Sequence, residues 1–215
     1  MQQVFKHKFF DFEPLDDIMV DGKRYYKLPD CSLAKSVTTR LGEVLDKSGL
    51  DEWRAKVGEE EVNKILTQAG RRGTAFHSIC ENYLMNVDYK RGVMPVNLQS
   101  FIEIREYLDR NIGTIYGLEA PLYSYSLKAA GRSDCIADWS GTPSIVDFKT
   151  SKKPKQEEWI RGYFLQATTY SMMMEERTGL HIPQLVIIIA VDNDFPQIYV
   201  KKTSDFSQEV KQIFV

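Results

Sequence analysis

Two periodicities divide the chain. Between roughly residues 50 and 111, apolar positions recur at helical spacing; from Thr114 onward they gather into short alternating or continuous runs. Val62, Ile65 and Leu66 mark a helix over 50–70. Phe76, Ile79, Cys80 and Tyr83 mark a second over 74–85, with Gly70 and Gly73 punctuating the two. A third helix is predicted over 98–111. The aromatic and β-branched stretches 114–126, 127–140 and 143–150 read as strands. A long helix over 156–179 stops at Gly179, where a residue without Cβ can end it. PQLVIIIAVD, 183–192, is apolar almost throughout, as a strand buried on both faces requires, and PQIYVKKT, 196–203, alternates like an edge strand. A short amphipathic helix closes the chain, and the Asp-Gly in VDGKRYYKL, 20–28, predicts an N-terminal hairpin. The order is helices, then β-β-β-α-β-β-α. It predicts an α/β fold: one domain over 1–215, with a mixed central sheet in 114–215 and a mainly helical N-terminal part in 1–113.

Composition narrows the function. Of 215 residues, 43% are hydrophobic and 27% charged, as in ordinary globular proteins, and the net charge of −2 supplies no global basic field. Any nucleic-acid contact must therefore come from local patches. Cys31, Cys80 and Cys135 lack CxxC spacing, which excludes a four-thiolate metal site and favours buried free thiols. The first residues lack the pattern of a signal peptide, and LVIIIAV (185–191) is too short to span a bilayer. The expectation is a soluble, cytoplasmic protein.

The chemistry concentrates in SIVDFKTSKK, 144–153. On a strand, Asp147 and Lys149 share a face. If Ser140 to Pro143 form the preceding turn, Trp139 faces Ser144 and Asp134 faces Lys149, with Asp134 and Asp147 as diagonal neighbours about 7–8 Å apart. One hard divalent cation can bridge such a pair. A cross-strand ion pair between Asp134 and Lys149 is the alternative, and the residues alone divide the two readings evenly.

GRSD, then IVDFKTSKK, then YFLQATTY, together with AGRRGTAFH and KSVTTRL, resemble the PD-(D/E)xK nuclease superfamily. The likeness is to its RecB-like branch of phage exonucleases and the mitochondrial genome maintenance exonuclease. The matching motifs are Gly73–His77, Gly131–Asp134, Asp147–Thr150 and Gln166–Tyr170, in the order of the branch. The resemblance runs from about Ser36 to Val191 and implies a restriction-endonuclease-like core and a metal-dependent DNA nuclease. It further implies an exonuclease acting on single-stranded DNA or free ends, in phage replication, recombination or repair, with one or two Mg²⁺ or Mn²⁺ ions. By it, Asp134 and Asp147 match the metal-holding acids, Lys149 the catalytic lysine, His77 an added metal ligand, and the Phe148 carbonyl a backbone ligand. Gln166 and Tyr170 match the helix motif lining the site and contacting DNA. Asp138 is a second acid on the same strand, but Asp134 follows the glycine.

The remaining candidates carry more than one reading each. Glu119 can orient Lys149, hold a second metal, or be a plain surface acid. Gln166 is either a helix-to-sheet core bond or a contact to the site. Ser36 and Thr38 either donate to phosphates or cap a helix. Thr150, Ser151, Lys152 and Arg72, with Arg71, Lys153 and Lys155 nearby, fit phosphate contacts or a solvated face. Two other functions remain open: a non-catalytic nucleic-acid-binding module on the same fold, and a restriction-type endonuclease.

Overall fold

The computed structural model describes residues 3–46 and 48–215. Its centre is a nine-stranded mixed sheet. Strands β1 (Lys6–His7), β2 (Asp16–Val20), β3 (Lys23–Lys27) and β4 (Leu33–Ser36) precede helices α1 (Val37–Val44), α2 (Ser48–Val57), α3 (Glu59–Leu84) and α4 (Pro95–Asn111). Then come β5 (Ile112–Ser124), β6 (Ala129–Trp139) and β7 (Thr142–Ser151), a 3₁₀ turn over Glu157–Ile160, and α5 (Arg161–Thr178). Strands β8 (Gln184–Val191) and β9 (Gln197–Lys202) and helix α6 (Ser207–Phe214) end the chain. The sheet order is β2-β3-β4-β6-β7-β8-β9, with β5 on the other edge of β6 and β1 beyond it.

The C-terminal half follows the predicted pattern. Every residue of β8 after Gln184 is buried, because the sheet is covered on both faces. Leu185, Ile187, Ile189 and Val191 pack with Phe164, Met173 and Val210 of α5 and α6. Val186, Ile188 and Ala190 pack with Phe76, Ile79 and Phe101 of α3 and α4. Each of the larger side chains among them contributes roughly 1.5–3 kcal/mol on burial.

Three expectations change. The predicted hairpin at Asp21-Gly22 forms, but it does not stay within a separate N-terminal part: β4 carries it onto the main sheet by pairing in parallel with β6. Gly70 and Gly73 do not separate two helices, since α3 runs unbroken for 26 residues through both. The break falls at Gly58, whose φ of 89° no L-residue adopts without strain. Two isolated glycines weaken a helix without ending it when its apolar face is buried. Finally, the β6–β7 turn is the two-residue Ser140-Gly141, both at positive φ. The ladder therefore pairs Trp139 with Thr142 and Cys135 with Val146, displaced by two residues from the expected register. Continued one step further, that register sets Asp134 against Asp147, not Lys149.

Candidate active site

The site forms where the sheet splits. β6 has β5 along one edge, but its other edge is shared: β7 pairs with Cys135–Trp139, and β4 pairs with Ala129 and Ala130. Among the described residues, no strand pairs with 131–134 on that edge. Beyond the ladder, the Phe148 N–H donates to Asp134 Oδ2 at 2.8 Å. The carboxylate thus stands in for the main-chain acceptor that β6 no longer supplies.

The alternation of faces also changes phase here. On β5, Leu118 packs against the α3–α4 cluster while Ala120 and Leu122 belong to the α5 cluster, although all three are even-numbered. The change falls at Glu119, whose φ is 44°. A non-glycine residue held there costs about 1–3 kcal/mol, a strain typical of functional sites. On β6, Cys135 and Ala137 face α3 and α4, whereas Ala129 faces α5. The change falls beside Asp134. Asp134, Asp147 and Lys149 therefore do not share one face as expected. Asp147 and Lys149 follow Ile145 toward α5, and Asp134 is freed to reach α3.

Asp134 Oδ1 lies 3.5 Å from His77 Nδ1, and Glu119 Oε1 lies 3.9 Å from the same nitrogen. His77, Glu119 and Asp134 each offer a ligand atom within 4.8 Å of the others. Asp147 stands outside that group of three; its Oδ2 is 2.5 Å from Lys149 Nζ, though without hydrogen-bond alignment. Lys149 Nζ also sits 5.1 Å from the centre of the Tyr163 ring, on α5. The arrangement is two linked clusters, an imidazole with two acids and a lysine with one.

Burial and charge act against each other throughout. Burial pulls the His77 imidazole down, but Asp134 and Glu119 outweigh it and hold its pKa up to about 10. Burial raises Asp134, yet His77 and Lys149 bring its pKa below the ordinary carboxylate value. Asp147 is raised to about 6, by burial first and by Asp134 further, against the pull of Lys149. Burial also works to discharge Lys149, but Asp147 and Asp134 keep its pKa above that of a free lysine. The cavity strongly favours a cation at His77. Two carboxylates and one imidazole fit a divalent ion there, the oxygens suiting Mg²⁺ and the nitrogen biasing the set toward Mn²⁺.

The other predicted residues fall around this centre. Gln166 is half-buried on α5 and acts on the Tyr170 hydroxyl. Tyr170 is itself in the core, 3% exposed. A Cβ built on Gly131 would lie 2.7 Å from that hydroxyl, so the glycine of GRSD and the tyrosine of QATTY are one packing contact. Ser36 caps α1 by accepting from the Thr39 N–H at 3.1 Å, and Thr38 is exposed beside it. Arg72 is paired with Asp192, with Nη1 2.5 Å from Oδ2. The Ser151 hydroxyl donates to the Lys153 carbonyl at 2.6 Å. Thr150 is half-buried and Lys152 exposed. Asp138 accepts from the Tyr116 hydroxyl at 3.1 Å, apart from the group of three. Cys80 and Cys135 are buried, but Cys31 is exposed in a turn at φ 66°. Sequence reasoning gave no role to Glu81 or Arg132, which line the same groove as His77 and Glu119. Glu81 could have been found from its position one helical turn after His77.

No family model matches the sequence. Among curated proteins the chain is similar to the human Mitochondrial genome maintenance exonuclease 1, 26% identical over 155 residues, 67% of this chain and 44% of that protein. The mouse protein of that name is 26% identical over 110 residues, covering 49% and 32%. The Xenopus tropicalis one is 25% identical over 128 residues, covering 56% and 36%. The chain thus spans less than half the length of the curated relatives it matches. A crystal structure from Eubacterium rectale, provisionally named as an exonuclease, overlaps 68% of this chain and 63% of its own, at 18% identity and a TM-score of 0.46. That overlap is too distant to carry function. Among the described residues, no helix is long and apolar enough to cross a membrane.

Proposed function

We propose that the chain is a metal-dependent deoxyribonuclease that hydrolyses phosphodiester bonds, acting as an exonuclease on single-stranded DNA or DNA ends. The observation that carries this reading is the juxtaposition, in one split of the sheet, of the His77–Glu119–Asp134 group and the Lys149–Asp147 pair. The exonuclease names of the curated relatives support the choice of reaction.

His77, Glu119 and Asp134 would hold Mg²⁺ or Mn²⁺, with Asp147 and the Phe148 carbonyl on the adjoining strand as further oxygen donors. When bound, the ion supplies a water of lowered pKa and positive charge against the phosphate. The protein's own residues do the positioning. Lys149 is buried enough for its charge to act with little screening, and Asp147 and Tyr163 fix where the ammonium sits. It donates to a non-bridging oxygen of the phosphate, whose negative charge grows as the water oxygen forms its bond to phosphorus and the ester oxygen leaves. Glu119 and Asp134 both face the Nδ1 atom of His77 and orient its ring by charge.

The test uses end-labelled linear and circular DNA, single- and double-stranded, with Mg²⁺ or Mn²⁺. Linear substrate is shortened from its ends, chelation stops the reaction, and Asp134→Ala, Asp147→Ala and Lys149→Ala abolish it with an unchanged circular-dichroism spectrum. Full activity in any of these variants overturns the assignment. Cleavage of circles makes the protein an endonuclease, and binding without turnover in either metal makes it a non-catalytic module.

A further inference from the structure

A groove of about 540 Å³ opens on the metal-binding group, lined by Arg24, Gly73, His77, Glu81, Glu119 and Arg132. Its lining comes mainly from α3, with Arg24 of β3, Glu119 of β5 and Arg132 of β6. Two of its features have no explanation within the fold.

The first is Gly73. It lies well inside a 26-residue helix, where glycine is less stable than alanine because it has more freedom to lose. Its φ is ordinary, and a Cβ built on it would meet nothing within 4 Å. Neither backbone conformation nor packing against the protein calls for glycine. The missing methyl group faces the groove, one helical turn before His77. Gly70 is equally free of neighbours but is not part of the groove lining.

The second is Arg132. It sits two residues before Asp134 on β6, exposed, and its guanidinium has no acidic partner within ion-pair distance among the described residues. Its charge is felt at Glu81 across the groove. Arg24, on β3, is only loosely paired, 3.6 Å from Asp17, with both side chains about half exposed. A free planar guanidinium matches a phosphate bidentately. A helix surface without a Cβ allows a sugar–phosphate chain to lie close.

We propose that this groove carries the backbone of a single nucleic-acid strand across α3 at Gly73, with Arg132 binding a phosphate beside the one that reacts. The assignment rests on the nuclease reading given above. Arg24 closes the strand in from the hairpin side.

The experiment measures binding of a labelled oligothymidylate by fluorescence anisotropy with Mg²⁺ present, in a Lys149→Ala background so that the strand is not consumed. Gly73→Ala and Gly70→Ala are compared. Both raise the melting temperature by about 2–4 °C, because each replaces glycine by alanine in a helix. Only Gly73→Ala weakens binding, by about tenfold. Arg132→Ala weakens it to a similar degree and reduces the slope of log K against log salt by about 0.7, the loss of one single-strand phosphate contact; Arg132→Lys restores the slope but not the full affinity. Equal affinity of Gly73→Ala and Gly70→Ala, or an unchanged salt slope in Arg132→Ala, overturns the groove assignment while leaving the nuclease reading intact. A wild-type chain that neither binds nor cleaves DNA overturns both.

Discussion

Gly131→Ala separates packing from chemistry at the split in the sheet. A methyl group there would stand 2.7 Å from the Tyr170 hydroxyl oxygen, 2.9 Å from Cε1 and 3.2 Å from Cζ. The first two distances are shorter than real Cβ contacts allow, so something must move. Tyr170 is 3% exposed and packed among Leu122, Ala129 and Ala167. Overfilling such a site costs about 1–3 kcal/mol, and a domain of this size loses about 2–4 °C of melting temperature per kcal/mol. The cost should be shared with the tyrosine. Tyr170→Phe alone gives up the hydroxyl that Gln166 acts on, worth about 0.5–1.5 kcal/mol. In that background the nearest clash is gone, and the ring can shift by the few tenths of an ångström that Cε1 still requires. Urea and thermal unfolding of the four proteins close a double-mutant cycle, with a coupling of about 1 kcal/mol in favour of the double variant. A Gly131→Ala protein as stable as wild type, or a penalty undiminished by Tyr170→Phe, refutes the contact.

Two further outcomes follow from local geometry. At Glu119, held at a φ of 44°, glycine relieves strain that alanine retains, so Glu119→Gly is more stable than Glu119→Ala by about 1 kcal/mol, the reverse of the usual strand order; calorimetry with Mn²⁺ shows both variants weakened in metal affinity, and Ala above Gly in stability would remove the strain argument. Glu176 accepts from Ser124 Oγ at 2.6 Å, Ser126 Oγ at 2.7 Å and the Tyr125 N–H at 3.0 Å, and although burial raises its pKa, these bonds bring it below the free value. Because the folded pKa is the lower one, its contribution is complete above the unfolded value of about 4.3 and is lost as pH falls through the folded value. Glu176→Gln therefore destabilises at neutral pH by about 1–2 kcal/mol and flattens the acid limb of the stability profile; parallel profiles for variant and wild type would contradict this.

Where hydrophobic spacing is strong, the fold was legible from it. The strands around Ile145 and Ile187 are continuous apolar runs buried on both faces, as such runs require, and tertiary packing only completes them. Glycine was the weaker guide. Gly70 and Gly73 looked like a helix boundary because propensity was all that could be weighed, while the burial that anchors α3 on either side of them, Val62 before and Phe76 and Ile79 after, depends on contacts made outside the helix. The turn after Trp139 failed for a related reason. Ser140-Gly141 and Gly141-Thr142 are both acceptable two-residue turns, and only positive φ at Ser140 and Gly141 decides between them.

The site was legible as a set of residues but not as an arrangement. Strict alternation placed Asp134, Asp147 and Lys149 on one face and left His77 to join them from outside. A regular strand could not have done this, because α3 and α5 lie on opposite faces of the sheet. What brings His77 and Lys149 to one place is the irregularity at Glu119 and Asp134, where the faces exchange, together with the departure of β7 from β6 beyond Cys135. Asp134 then serves both sides, one oxygen on the Phe148 N–H and the other toward His77. It is the residue through which the two clusters communicate: its charge raises the pKa of Asp147, Lys149 and His77 alike. A two-residue displacement of the hairpin preserved side-chain parity, and so the error in register still brought Asp134 and Asp147 together. A one-residue displacement would have sent Asp147 to the opposite face and hidden the site altogether.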